Sequence, residues 1–266
     1  MFEFIAQIKS RNETLYQFGW WCLIAAILFL VCSKFSSTQV YNVSAWYKPF
    51  KFALSTWAYA WTMAWFCHYL PDFNVRNFNW AVIILLGFEI VYIALQAYRG
   101  QLSHYNTSTP LYSFLFSMMA LAATAVTIYT AYIGILFCTN AFPQLPSYYL
   151  WSIRLAIFLF VIFSFEGFVM GSKLSHTVGG PDGGPGIPVL NWSTRFGDPR
   201  VPHFIGMHAL QVVPLLSFFV LKNTKATFAL ALLYGALAIF TLVLALKGRS
   251  IFPSPKAATE QQLNDQ

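Results

Sequence analysis

Side chains suited to chemistry are scarce in this sequence and concentrate in two settings. One is the stretch 172–211, where the polar loop Gly179-Gly180-Pro181-Asp182-Gly183-Gly184-Pro185-Gly186 leads into Gly197-Asp198-Pro199-Arg200-Val201-Pro202-His203 and an apolar segment with His208 and Gln211. The other is a handful of polar residues within apolar runs: Glu89, Tyr92, Gln96 and Arg99 in one run, Glu166 in another. Offsets of three, seven and ten residues from Glu89 place Tyr92, Gln96 and Arg99 on one helical stripe. His208 and Gln211 are likewise helix neighbours. An ionisable group at mid-bilayer is costly and marks an internal site or pathway. The alternative for Glu89 and Glu166 is a neutral carboxylic acid hydrogen-bonded across helices. Acid–base work would draw on Glu89, Glu166, His208 and Asp198. Arg99 and Arg200 would hold an anionic group, with Gln96, Gln211 and Tyr92 as polar contacts to a ligand.

His104, His176 and His203 are candidate metal ligands or proton carriers. His203 and His208 lie about 140° apart around a helix, so they do not share a face as His-x-x-x-His does. A zinc site would need His104 or His176 from another segment and a carboxylate such as Asp198. Haem ligation by His208 with His104 or His176 is equally allowed. No strong motif supports either cofactor. The four cysteines form no Cys-x-x-Cys pair and read as small buried hydrophobes. The glycine-rich stretch matches neither a phosphate-binding loop nor a dinucleotide fingerprint, and a tight double turn is expected instead. Asp198 is either a catalytic acid or a helix cap followed by Pro199 in the first turn.

These residues need positioning, and the composition says by what. Hydrophobic residues make up 58% of the chain and charged ones 9%, against roughly a quarter charged in soluble domains. Seven apolar runs, at about 15–33, 50–70, 80–98, 111–138, 149–171, 203–221 and 226–246, are each long enough for a roughly 30 Å hydrocarbon core. Each must satisfy its own backbone in lipid and so be a helix. The expected fold is all-α: a polytopic bundle of seven transmembrane helices forming one domain over 1–249, with a polar disordered tail at 250–266. The first fourteen residues predict a short interfacial helix. Lys48 and Lys51, flanking Pro49 in a first turn, are expected to snorkel to the surface. Arg99-Gly100 reads as a helix stop and Thr109-Pro110 as a start. The loop 172–202, between helices five and six, carries Ile187, Val189, Leu190, Trp192 and Phe196. That is too apolar for a free linker, so an ordered lid folded back over the bundle is expected.

The formal charge of +7 bears on orientation before partners. The N-terminal side, side A, holds Lys9, Arg11, Arg76, Lys222 and Lys225, five in all. Side B holds ten: Lys34, Lys48, Lys51, Arg99, Lys173, Arg195, Arg200, Lys247, Arg249 and Lys256. This places side B and the C-terminus in the cytoplasm and the N-terminus outside, in a cell membrane. Nucleic-acid binding is not implied. The first apolar run is too long for a cleavable signal.

The segment Gly-Asp-x-Arg-x-x-His-Phe-x-Gly-Met-His-Ala-x-Gln, residues 197–211, resembles one in uncharacterised bacterial multi-span proteins, which implies a bacterial inner membrane but transfers no activity. The seven spans are also similar to membrane hydrolases of the progestin-receptor-like and ceramidase group, without their His-x-x-x-His pair. Three functions are compatible with these features. One is an enzyme acting on a lipid or other amphiphile from a site between spans three, five and six. The second is a proton-linked small-solute carrier or ligand sensor using Glu89 and Glu166. The third is a haem-binding redox protein.

Overall fold

The computed structural model describes residues 2–253, so most of the expected tail lies outside the described residues. Eight α-helices make up most of it: α1 (Phe2–Arg11), α2 (Glu13–Phe35), α3 (Tyr47–Cys67), α4 (Val75–Tyr98), α5 (Pro110–Thr139), α6 (Ser147–Lys173), α7 (Arg200–Leu216) and α8 (Thr224–Leu246). A π-helical turn, Ser217–Leu221, extends α7. Local chemistry explains most boundaries. Asn12, Asn74, Thr109 and Asn223 each accept a backbone N–H three residues on, at the starts of α2, α4, α5 and α8. Pro110 occupies the first turn of α5, as expected, and left-handed Gly100 follows α4. The run 203–221 is not one regular helix. Pro214 removes an N–H from α7, and the chain widens into the π turn before left-handed Lys222 returns its N–H to Ser217.

Among the described residues, six helices are long and apolar enough to cross a membrane: α2, α4, α5, α6, α8, and α7 together with its π turn. The exception is α3, and its surroundings explain why. It packs against α2, α4 and α7, burying Ala53, Thr56, Tyr59, Ala60, Met63 and Ala64, so its composition need not suit lipid. At 1.5 Å per residue its 21 residues extend about 31 Å, a membrane's hydrocarbon thickness.

The connections gather at two opposite ends. At the side A end, Asn12 and Asn79 exchange two amide hydrogen bonds of 2.9 Å. There too the Arg11 guanidinium lies 3.6 Å from the centroid of Trp65, near the end of α3. At the side B end, residues 36–46 form a small hairpin, β1 (Gln39–Val40) with β2 (Val43–Ser44), turned by left-handed Tyr41 and Asn42. Residues 174–199 fold onto it and onto the end of α8. Val178 and Gly197 bridge, with N–H···O distances of 2.9 and 3.1 Å. Ser250 donates to the Ser193 carbonyl at 2.6 Å. A Cβ on Gly197 would lie 1.9 Å from the Ala245 carbonyl oxygen, so only glycine allows this approach. The first turn of α3 reaches the same end, where Lys51 donates to the Leu190 carbonyl at 2.7 Å. Thus α3 runs the full height of the bundle.

Candidate functional site

Four segments meet at the side B end: the first turn of α3, residues 99–109, the segment 174–199 and the start of α7. Left-handed Leu174 stops α6 and swings Ser175, His176 and Thr177 beneath the glycine-rich turn. There Asp182 collects four groups of donors. Ser175 Oγ lies at 2.9 Å, Thr177 Oγ1 at 2.8 Å, the His176 backbone N–H at 3.0 Å and His176 Nδ1 at 2.9 Å. Burial alone would raise the Asp182 carboxyl, but hydrogen bonds from the His176 ring and backbone and from Thr177 outweigh it, holding it well below the usual carboxylate range. Burial, reinforced by the charges of Lys48 and Arg200, lowers His176 to about 4 despite its bond to Asp182. At neutral pH the arrangement is therefore a carboxylate accepting Nδ1–H from a neutral imidazole. That fixes the tautomer and leaves Nε2 as the basic atom.

Tyr105 closes one side of this pair, with its ring centroid 4.8 Å from that of His176. It adopts a left-handed φ of 60°, which costs a bulky residue roughly 1–2 kcal/mol. The surrounding segment supports that conformation: Gln96 and Asn106 both donate to the Leu102 carbonyl, each at 3.1 Å. Burial and the Asp182 charge raise the Tyr105 hydroxyl, so it remains a neutral phenol. His104 packs at a tilt against Phe52 and Phe116, and burial, then Lys48, His176 and His203, hold it well below the ordinary histidine value.

A second carboxylate organises the start of α7. Asp198, with its side chain 2% exposed, takes a two-pronged contact from Arg200, Nε at 2.8 Å and Nη2 at 2.6 Å. It also accepts the Arg200 and Ser193 backbone N–H groups at 3.1 and 2.7 Å. Asp198 thus caps the chain entering α7 from one position before the cap residue Pro199, and its lone pairs are committed to structure. Between the two carboxylates lies a small cavity of about 20 Å³, bordered by Tyr41, His176, Asp182, Asn191, Ser193 and Arg200 among others. That is room for about one water-sized molecule.

The expected site residues divide accordingly. Asp198, Arg200, His176, His104 and His203 belong to this end of the molecule. Glu166 joins them from α6: its side chain is 4% exposed, and its Oε2 lies 3.5 Å from His203 Nδ1. That is too long for a hydrogen bond, and neither Glu166 oxygen has one among the described residues. Deeper on α7, His208 Nδ1 meets Gln211 Oε1 at 3.2 Å, and Gln211 donates to Thr62 Oγ1 of α3 at 3.1 Å. Glu89 stands apart. It is buried on α4 with Oε1 unpartnered, and no charged neighbour acts on it. Among the described residues, no hydrogen bond or ion pair links Glu89 to Glu166 or His208. Tyr92 and Gln96 are buried on α4 and bonded to each other at 3.1 Å. Arg99 is exposed at the helix end and does not join the cluster. Among the described residues, no group of three or more His, Cys, Asp or Glu is arranged to hold a metal ion. His104, His176 and His203 are neighbours without forming a ligand set.

The cluster also includes residues that sequence reasoning passed over. Lys48 and Lys51 do not snorkel outwards: Lys51 is tied to Leu190, and both stand near the Arg200 charge. The spacing Lys48-Pro49-Phe50-Lys51 was a usable signal, since residues three apart in a first turn face one way. Asp182 and Tyr105 left no such trace, their roles depending on a turn and on a left-handed residue. Compared with protein-family models, curated proteins and solved structures, the chain matches none.

Proposed function

We propose that this integral membrane protein crosses the bilayer seven times and acts at side B on an anionic amphiphile. In this reading His176 Nε2 serves as the base, Asp182 orients it, and Lys48, Lys51 and Arg200 receive the negative headgroup. The carrying observation is the Asp182–His176 pair beside three cations, of which, among the described residues, Arg200 alone contacts a carboxylate. Such a pair suits proton abstraction or activation of water or a hydroxyl. The small cavity is too narrow for a headgroup, so residues 174–199 act as a lid that lifts to admit it. The end-to-end course of α3 supports the seventh crossing, and the excess of Lys and Arg supports a cytoplasmic side B. The segment 197–211 supports kinship with bacterial multi-span proteins, and hence a bacterial cell membrane.

The test is turnover of phosphatidylglycerol and phosphatidic acid by the purified protein in neutral-detergent micelles, followed by mass spectrometry. Wild type should consume at least one of them. His176→Asn and Asp182→Asn should lose about 10²–10⁴-fold in rate, and Lys48→Gln with Lys51→Gln should weaken retention of the lipid. Unchanged rates in both dyad variants would refute the assignment. A proton-linked carrier or sensor is the second reading, favoured by the unpartnered Glu166 carboxylate beside His203. Proton uptake in proteoliposomes that is abolished in Glu166→Gln would select it.

A further inference from the structure

A second cavity lies at the opposite end, away from the side B cluster. It measures about 250 Å³ and is walled by Phe73, Tyr129, Tyr132 and Leu136, with Asp72 and Asn140 at its polar edge. Residues 129, 132 and 136 follow one another at helical spacing and form a single stripe on α5, which Asn140 ends as its cap residue. The connection between α3 and α4 carries Asp72 and Phe73 over that stripe. The Phe73 ring contacts both tyrosines, at centroid distances of 6.2 and 6.1 Å, and buried Leu70 provides the apolar floor.

We propose that this cavity binds a small organic cation, a primary or quaternary ammonium group. Three aromatic rings border the cavity, and an aromatic ring attracts an ammonium cation over its face. Asp72 is the one charged residue among those lining the cavity, an acid in a chain whose formal charge is +7. It makes no hydrogen bond or ion pair with the other described residues, so its carboxylate is available. The volume is below the roughly 300–1,000 Å³ of sites for drug-sized molecules, which suits a compact ion. At the side A end of α5 the cavity lies at headgroup depth, within reach of a lipid's ammonium group or a free amine arriving from solution.

The experiment uses the full chain in two settings. In detergent, choline and tetramethylammonium are titrated by calorimetry against wild type, Asp72→Asn and Tyr132→Leu. In nanodiscs, retention of phosphatidylcholine over phosphatidylglycerol is measured for the same proteins. Both substituted residues are exposed, Tyr132 by 47%, so neither variant threatens folding. Choline binding weakened about tenfold in each variant would establish the site with a free amine as ligand. Selective phosphatidylcholine retention lost in Asp72→Asn, without choline binding, would establish it with a lipid as ligand. Binding in neither setting, or binding indifferent to Asp72, overturns the proposal. His176→Asn should bind as wild type does, so failure here is separable from failure of the side B reading.

Discussion

Acidification should unlatch the side B lid, and His176 sets the size of the effect. Its imidazole is held at about 4 in the folded protein against an ordinary 6.5. Above pH 6.5 both folded and opened forms carry it neutral, and the difference contributes nothing. As pH falls below 6.5 the opened form takes up the proton first, so closure weakens until the folded group also titrates near 4. At pH 5 the loss amounts to about 2 kcal/mol, roughly a thirtyfold rise in opening, and the full interval corresponds to about 3 kcal/mol. Asp182 adds to the trend only below its ordinary value near 4, because its carboxyl is lowered on folding. Hydrogen exchange at the Val178 and Gly197 amides, which bond across the lid, reads opening directly. Protection corrected for intrinsic rates should fall about thirtyfold between pH 7 and 5 in wild type. In His176→Asn, which keeps a donor near Nδ1 and cannot titrate, most of that fall should vanish. Identical pH dependence in the two proteins would show that the buried imidazole does not hold the lid.

Four further outcomes follow from the packing. Gly206→Ala would place a Cβ 2.0 Å from the Phe163 ring between α6 and α7, and should destabilise by about 1–3 kcal/mol or more, seen as a lower midpoint in detergent thermal unfolding. Gly87→Ala, with no atom within 4 Å of the new Cβ, should leave that midpoint unchanged or slightly raised. Asp198→Ala strips the partner from Arg200 and orphans the Ser193 N–H. A loss of about 2 kcal/mol is expected, with Asp198→Asn intermediate, in the same assay. Asn12→Ala removes both amide bonds to Asn79 and the cap on Leu15, and should cost about 2 kcal/mol and expose the α1–α2 junction to protease.

The candidate site was legible only in part. Arg200, Asp198 and His203 stand in one dense polar segment, and their closeness at one end of the molecule is a matter of local spacing. The stripe from Glu89 to Arg99 was equally regular, yet it divides. Gln96 turns inwards to hold the 99–109 segment, Arg99 is exposed, and Glu89 faces no other ionisable group. Periodicity identifies which residues share a face but not what lies opposite that face, and here the opposing helices put no charge against Glu89.

The class of protein was determined by composition alone, because runs of about twenty apolar residues have one stable form in lipid, whatever surrounds them. Helix starts at Asn74, Thr109 and Asn223 are equally local, since a cap bonds within its own turn. The passage of α3 through the bundle was less secure from composition, because a helix lined by other helices can carry Lys, Thr and Tyr. The pairing of His176 with Asp182, the inward turn of Lys48 and Lys51, and the cavity under Phe73 were decided only by tertiary structure. The first rests on the turn after left-handed Leu174 and the other two on segments distant in the chain; spacing within one helix says which residues share a face, not what that face meets.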